Sequence, residues 1–235
     1  MATPQDGSER PAACGTGRKL LEQGPVNGDA VRIRPYRPDD LEDLYDICLR
    51  TADNGGDGTS LFRDPKMPGH RYAGPYAAFA PSLAFVAEDT GGVAGYTLGV
   101  LDTRAFEERL ERDWWPALRA RYPQPGPDAG LSSPEQYAIN DIHRPWATGD
   151  ELVAGYPSHL HIDLLPRLQG RGIGTRLMTI MIDTLRDLGS PGLHLHVSRD
   201  NQKAAGFYRH LGFTEYPATG INIFIMDLRD ERARS

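Results

Sequence analysis

Apolar positions along the chain switch between two-residue and three-to-four-residue spacing, and each switch predicts an element. Val31-Arg32-Ile33-Arg34 alternates and reads as a short strand. Pro38-Asp39-Asp40 is a helix-start signal with acids in the first turn. Leu41, Leu44, Tyr45 and Cys48 then follow at helical spacing to about Thr51. From Asp53 to Pro81 glycines and prolines break any pattern, so this stretch reads as a long loop of the kind that forms a substrate lid. Leu83 to Ala87 and Val93 to Leu101 read as a hairpin turning at Gly91-Gly92. Phe106, Leu110, Trp114, Leu118 and Tyr122 recur every four residues, a helical stripe that Pro116 must kink or split. Residues 123–155 read as a second irregular insert holding Pro123, Pro125, Pro127, Pro134 and Pro145.

The last third is more regular. His159 to Leu165 reads as a strand, and Gly172 to Leu188 as a helix with Ile173, Leu177, Ile180, Met181 and Leu188 on one stripe. Leu193 to Ser198 reads as a strand, Asn201 to His210 as a helix and Ile221 to Leu228 as a final strand. Strands alternating with helices behind a hairpin predict an α/β (α+β) domain around a mixed sheet. Residues 1–29 are polar, rich in Gly and Pro and without period, and read as a disordered tail; residues 30–235 read as one domain.

Composition narrows the function classes. The 235 residues hold 26 Lys and Arg against 32 Asp and Glu, a net charge of −6, which argues against a nucleic-acid partner. No apolar run is long enough to span a membrane, and MATPQDGSER has no apolar core of a secretory signal. Cys14 and Cys48 are too few for a disulfide framework, so a reduced, cytoplasmic protein is expected.

The chemistry concentrates in Leu164-Leu165-Pro166-Arg167-Leu168-Gln169-Gly170-Arg171-Gly172-Ile173-Gly174-Thr175. A strand ends, three alternating glycines turn the chain, and a helix begins. The first-turn N–H groups of a helix have no helical partner and sit at its positive end, so this is a phosphate cradle, to which Arg171 and Arg176 add charge. A Gly-rich helix entry without a ligand is the plainer alternative. The Gly-Lys-Ser/Thr ending of a P-loop is absent, and Gly174 follows Gly172 too soon for a dinucleotide fingerprint.

Gln169-x-x-Gly172-x-Gly174 after a strand and proline resembles the acetyl-CoA pyrophosphate loop of the GNAT acetyltransferase superfamily. Downstream, Asn201-x-x-Ala204 and Phe207-Tyr208-Arg209-His210-Leu211-Gly212-Phe213 resemble its second signature, in the right order. Gly95-Tyr96-Thr97-Leu98-Gly99, Trp114-Trp115-Pro116 and Tyr156 to Asp163 are similar to the acetyltransferase-like domain at the C-terminus of animal O-GlcNAcase and its bacterial relatives. The resemblance spans roughly Val31 to Leu228. It implies a twisted, mostly antiparallel sheet with splayed central strands, and transfer of acetyl from acetyl-CoA to a primary amine of a small molecule or peptide in a ternary complex.

Residue by residue, the resemblance implies that backbone groups of Leu164 and Leu165 pair with the pantetheine arm and that the N–H groups from Gln169 through Gly170, Arg171, Gly172, Ile173 and Gly174 to Thr175 hold the pyrophosphate. Asn201 contacts the cofactor near its pantetheine, and Tyr208 lies beside the sulfur as the general acid. His159, His161 and Asp163 share one strand face, and Asp163, nearest the cofactor end, is the favoured base with His161 beside it. Buried side chains that pin the strand remain an equal reading of this trio.

Other readings stay open at this point. A non-catalytic acetyl-CoA-binding or protein-interaction module carries the same motifs. His159-Leu160-His161 and His194-Leu195-His196 form two His-x-His pairs that with Asp163 make a rival metal site. Trp114, Trp115 and Trp146 are packing or lid residues. Asp53, Asp57, Asp64 and Asp102 are either an acidic mouth for a cationic acceptor or solvated acids. Members of this superfamily often pair, so a homodimer is compatible with the chain.

Overall fold

The strand Gly92–Val100 (β3) is buried along almost its whole length, which places it inside a sheet covered on both faces. The computed structural model describes residues 31–124, 126, 131–217 and 220–229; the predicted tail and Cys14 lie outside them. Among the described residues seven strands form one sheet in the order β1-β2-β3-β4-β5-β7-β6. They are Arg32–Pro35 (β1), Ala84–Asp89 (β2), β3, Ser158–Leu164 (β4), Gly192–Val197 (β5), Thr214–Tyr216 (β6) and Asn222–Asp227 (β7). Every neighbouring pair is antiparallel except β4 and β5. That parallel pair is registered only at Ser158↔Leu193 and His159↔His194, so the two strands part beyond His159.

Helices cover both faces. Leu41–Arg50 (α1), Met67–Tyr72 (α2), Gly74–Phe79 (α3), Thr103–Asp113 (α4), Trp115–Arg121 (α5), Pro134–His143 (α6) and Asp150–Gly155 (α7) precede β4 or β5 in the chain. Ile173–Asp187 (α8) and Gln202–His210 (α9) follow β4 and β5. The α8 stripe of Ile173, Leu177, Ile180 and Met181 is buried, and Gly99 on β3 leaves room for it: a Cβ there would meet Met181 Sδ at 2.7 Å. Leu188 ends outside that stripe, 50% exposed, because it lies past the last helical turn.

Both irregular inserts are instead partly helical. Residues 53–81 contain α2 and α3, each opened by a proline in its first turn, where the missing N–H removes nothing. Gly69 and Gly74 lie against Tyr45, so these short helices exist by packing rather than by periodicity. Residues 123–155 contain α6, capped by Ser133 with Pro134 at its start, and α7. The strand β6, whose Thr214 and Glu215 are exposed, was not visible in the pattern. Pro116 does split its stripe: α4, capped by Asp102, stops at Asp113 and α5 restarts at Trp115.

Candidate active site

The parting of β4 from β5 opens the middle of the sheet directly ahead of the glycine loop. Gly170 and Gly172 have φ of +70° and +73°, and nothing lies within 4 Å of where a Cβ would stand at either. The loop therefore needs glycine for its backbone and faces open space, and it leads into the N-terminus of a 15-residue helix. Gly174 lies under Phe207, 3.3 Å from its would-be Cβ, so it fits the α8–α9 contact instead.

Other members of the proposed cradle have partners of their own. Gln169 Nε2 donates to the Leu164 carbonyl at 2.8 Å, and its Oε1 accepts from Lys203 Nζ at 2.7 Å. Arg171 donates to the Arg167 carbonyl at 3.2 Å. Asn201 caps α9, accepting from the Ala204 N–H at 3.0 Å. Leu165 corrects an expectation: its N–H goes to the Ala94 carbonyl and its carbonyl accepts from Leu168, so it offers no backbone group to an added strand. Leu164, whose carbonyl takes a side chain rather than a strand, remains suited to that role. Lys203 carried no signal in the pattern and reaches the loop through tertiary packing.

On the face opposite α8, Tyr96, Leu98 and Val100 stand beside Asp163, His161 and His159. The Tyr96 hydroxyl donates to Asp163 Oδ2 at 2.6 Å. Burial pushes the Asp163 carboxyl up to about 6, against the pull of hydrogen bonds from Tyr96 and Thr51. Tyr208 is buried among Phe207, Phe213 and Phe224, and burial, reinforced by the Asp163 charge, raises its phenol well above the ordinary value. The expected base and acid thus come from different elements, β4 and α9, with the Asp163 charge felt at Tyr208.

The four strand histidines are neighbours, with His159 and His194 ring centroids 5.6 Å apart. The Thr103 hydroxyl donates to the Pro157 carbonyl, so it accepts from His159 Nδ1, and Tyr76 donates to Nε2 at 2.7 Å. Both His159 nitrogens are engaged, and His194 Nδ1 donates to the Tyr156 carbonyl at 2.6 Å. Among the described residues no three His, Cys, Asp or Glu side chains are placed to hold a metal. Burial depresses all four imidazoles, His161 to about 4 and His196 to about 3, so they are neutral at pH 7.

A cavity of about 860 Å³ opens over this face, bounded by α2 to α6, residues 145–148, β4 and β5. Tyr72, Tyr76, Phe106, Trp115 and Trp146 line it together with the four histidines. Its acids are Glu107, Glu108, Glu111 and Asp141, against Arg71 and Arg104. Asp53, Asp57, Asp64 and Asp102 are not part of it. Asp102 caps α4, Asp64 accepts from Tyr122 and Arg121, and Asp57 accepts from Thr59, so a helix end, a tertiary contact and a local turn account for these three. Trp115 is buried core and Trp114 donates to the His70 carbonyl, whereas Trp146 is 55% exposed. Cys48 is buried beside Tyr96 and burial pushes its thiol up, so it is inert core.

The model of the acetyltransferase (GNAT) family matches residues 42–213. The chain belongs to the GNAT family. Its fold is the family's. The crystal structure of SsHAT is 38% identical and superposes with a TM-score of 0.76 over 85% of this GNAT chain and 99% of that one. Protein O-GlcNAcase of Rattus norvegicus is 27% identical over 183 residues, 78% of this chain but 20% of that protein. The chain thus spans about a fifth of the length of these curated relatives. Mycothiol acetyltransferase of Thermomonospora curvata is 35% identical over 122 residues, 48% of this chain and 38% of that protein. No helix among the described residues is long and apolar enough to cross a membrane.

Proposed function

We propose that this GNAT protein transfers an acetyl group from acetyl-CoA to a primary amine by direct attack in a ternary complex. The observation that carries the reading is the gap between β4 and β5, with the Gly170–Gly172 loop at one end and Asp163 beside it. The residues fit the cofactor: two left-handed glycines facing open space, the positive end of α8, and Lys203 over the loop. Leu164 and the backbone N–H groups from Gly170 to Thr175 would hold it, and Asn201, through its side-chain amide nitrogen, is the further contact.

Acetyl-CoA supplies the activated thioester when bound. The residues of the chain then handle two protons while the amine nitrogen bonds to the carbonyl carbon and the carbon–sulfur bond breaks. Asp163, ionised above pH 6, takes the proton that the amine loses, directly or through a water. Tyr208, whose raised value keeps it protonated at neutral pH, gives its proton to the departing sulfur. His161, neutral and lining the cavity, borders the path from acceptor to base without competing for its charge.

The test is calorimetric titration with acetyl-CoA followed by a thiol-release assay over primary amines: peptide lysines, polyamines, aminoglycosides and arylalkylamines. Saturable binding with turnover of one class is expected. Binding without turnover on any amine would leave a non-catalytic acetyl-CoA module, and absence of binding would reject both.

A further inference from the structure

The cavity that His161 lines, two residues along β4 from Asp163, contains one buried polar atom that the fold leaves unanswered. His196 Nε2 is shielded from solvent and has no hydrogen-bond partner among the described residues, whereas on the same wall His159 has both nitrogens engaged and His194 Nδ1 donates to the Tyr156 carbonyl. An unpartnered buried nitrogen is costly to keep, so its persistence beside a cavity marks a place where a partner arrives from outside.

A second, independent feature lies against it. The Trp146 ring packs 4.6 Å from the His196 ring at 62°, yet Trp146 is 55% exposed. Nor is this a loose loop. The Arg144 N–H closes α6 on the Asn140 carbonyl, and Thr148 is bound twice to Glu107 through its N–H and hydroxyl, while its carbonyl takes Arg104. Trp146 is therefore a flat apolar shelf held between two anchors and left half uncovered, with Tyr72 and Tyr76 among the other cavity rings.

We infer that His196 and Trp146 form the acceptor subsite for an arylalkylamine: its ring lies against Trp146 and a neutral hydroxyl or amide on that ring hydrogen-bonds His196 Nε2. This rests on the acetyltransferase reading above and names its substrate class. The spacing agrees. His196 lies two residues beyond the last β4–β5 pair, and Asp163 four residues beyond it on the other strand. At about 3.3 Å per residue along a strand and about 4.8 Å between strands, the two are at least roughly 8 Å apart. An acceptor that reaches both needs a rigid spacer of at least that length between its amine and its far polar group, which a two-carbon arm plus a six-membered ring supplies. The neutral state of His196 favours a neutral partner over a carboxylate or phosphate. Of the cavity acids, Glu107 pairs with Arg104, Glu111 with Arg119 and Asp141 with Arg71, so Glu108 supplies the excess negative charge that draws in a protonated amine.

The decisive pair of probes is tyramine and 2-phenylethylamine, which differ by one ring hydroxyl. For the wild-type protein kcat/KM for tyramine should exceed that for 2-phenylethylamine by tenfold or more. His196→Phe should bring the ratio close to one, and His196→Gln, which restores a hydrogen-bonding group, should recover part of it. Trp146→Ala should raise KM for both amines. A ratio near one in the wild type, or one that His196→Phe leaves intact, overturns this inference while leaving the acetyltransferase reading in place. Turnover of polyamines or peptide lysines in preference to both arylalkylamines also overturns it alone. Loss of acetyl-CoA binding, or no turnover of any amine, instead rejects the reading on which it rests. Circular dichroism and acetyl-CoA titration of each variant separate misfolding from loss of the subsite.

Discussion

Tyr96 and Asp163 are directly opposed in the β3–β4 register, and the Tyr96 hydroxyl gives Asp163 its 2.6 Å hydrogen bond. The carboxyl is held by two opposing influences: burial raises it, while Tyr96 and Thr51 lower it, and it settles at about 6. A base in that position works only when ionised, so kcat/KM should rise with pH through about 6 and level off above it. Asp163→Asn should lower kcat by about a hundredfold and flatten that limb. Tyr96→Phe removes one of the lowering hydrogen bonds, so the midpoint should move upward with the plateau still reached. A pH–rate profile for the three proteins checks this, and an unchanged profile in Asp163→Asn removes Asp163 as the base.

Tyr208 reaches the same centre from α9. Its hydroxyl is the atom in question, because Phe207, Phe213 and Phe224 already account for the packing of its ring. Tyr208→Phe should therefore leave stability within about 1 kcal/mol and acetyl-CoA binding close to wild type, while kcat falls by about a hundredfold. The loss should shrink with acetyl donors whose leaving thiol is more acidic, since these need less protonation. A uniform loss over donors of different acidity would assign Tyr208 to packing.

Gly172 precedes α8 at φ +73° with nothing within 4 Å of its would-be Cβ, so substitution there acts through backbone conformation alone. Gly172→Ala should destabilise by about 1–2 kcal/mol and weaken acetyl-CoA binding, while Gly172→Asn should lose less, since Asn tolerates the left-handed region. Gly206, inside α9 with equal space around it, should respond with the opposite sign, Gly206→Ala stabilising by about 0.5–1 kcal/mol. Denaturation midpoints and calorimetric titration of the three variants test this together.

What could be read in the pattern and what could not divide along a physical line. The long strands and α8 follow from alternation and from a stripe of apolar residues, both local signals, and the glycine loop follows from residues adjacent in the chain. The pair α2 and α3 escaped notice because six-residue helices carry less than two turns of periodicity and owe their shape to Gly69 and Gly74 packing on Tyr45, far upstream. Asp163 stood out on its strand, but its partner Tyr96 lies 67 residues away and is supplied by sheet register. The acids that line the cavity come from α4 and α6 and carried no signal in the pattern, while Asp57, Asp64 and Asp102, read as an acidic mouth or as solvated acids, serve turns, caps and ion pairs. Leu165 failed for a similar reason: which backbone groups of a strand face a gap depends on pairing, not on residue type.

The buried histidines predict an acid-sensitive fold. An imidazole whose folded value lies below its ordinary 6.5 stabilises the protein above that pH and loses this contribution as pH falls toward the folded value. At pH 5 His159, His161 and His196 are neutral when folded and would each bind a proton on unfolding. Asp163 has the opposite sign: raised to about 6, it holds a proton in the folded protein that unfolding releases. The balance is about two protons taken up, so stability should rise with pH near 5 by about 2–3 kcal/mol per pH unit. Urea denaturation at closely spaced pH values measures that slope. His196→Phe should reduce it by about 1.4 kcal/mol per unit, and Asp163→Asn should increase it by a similar amount. A slope that neither substitution changes would mean that other groups govern the acid limb.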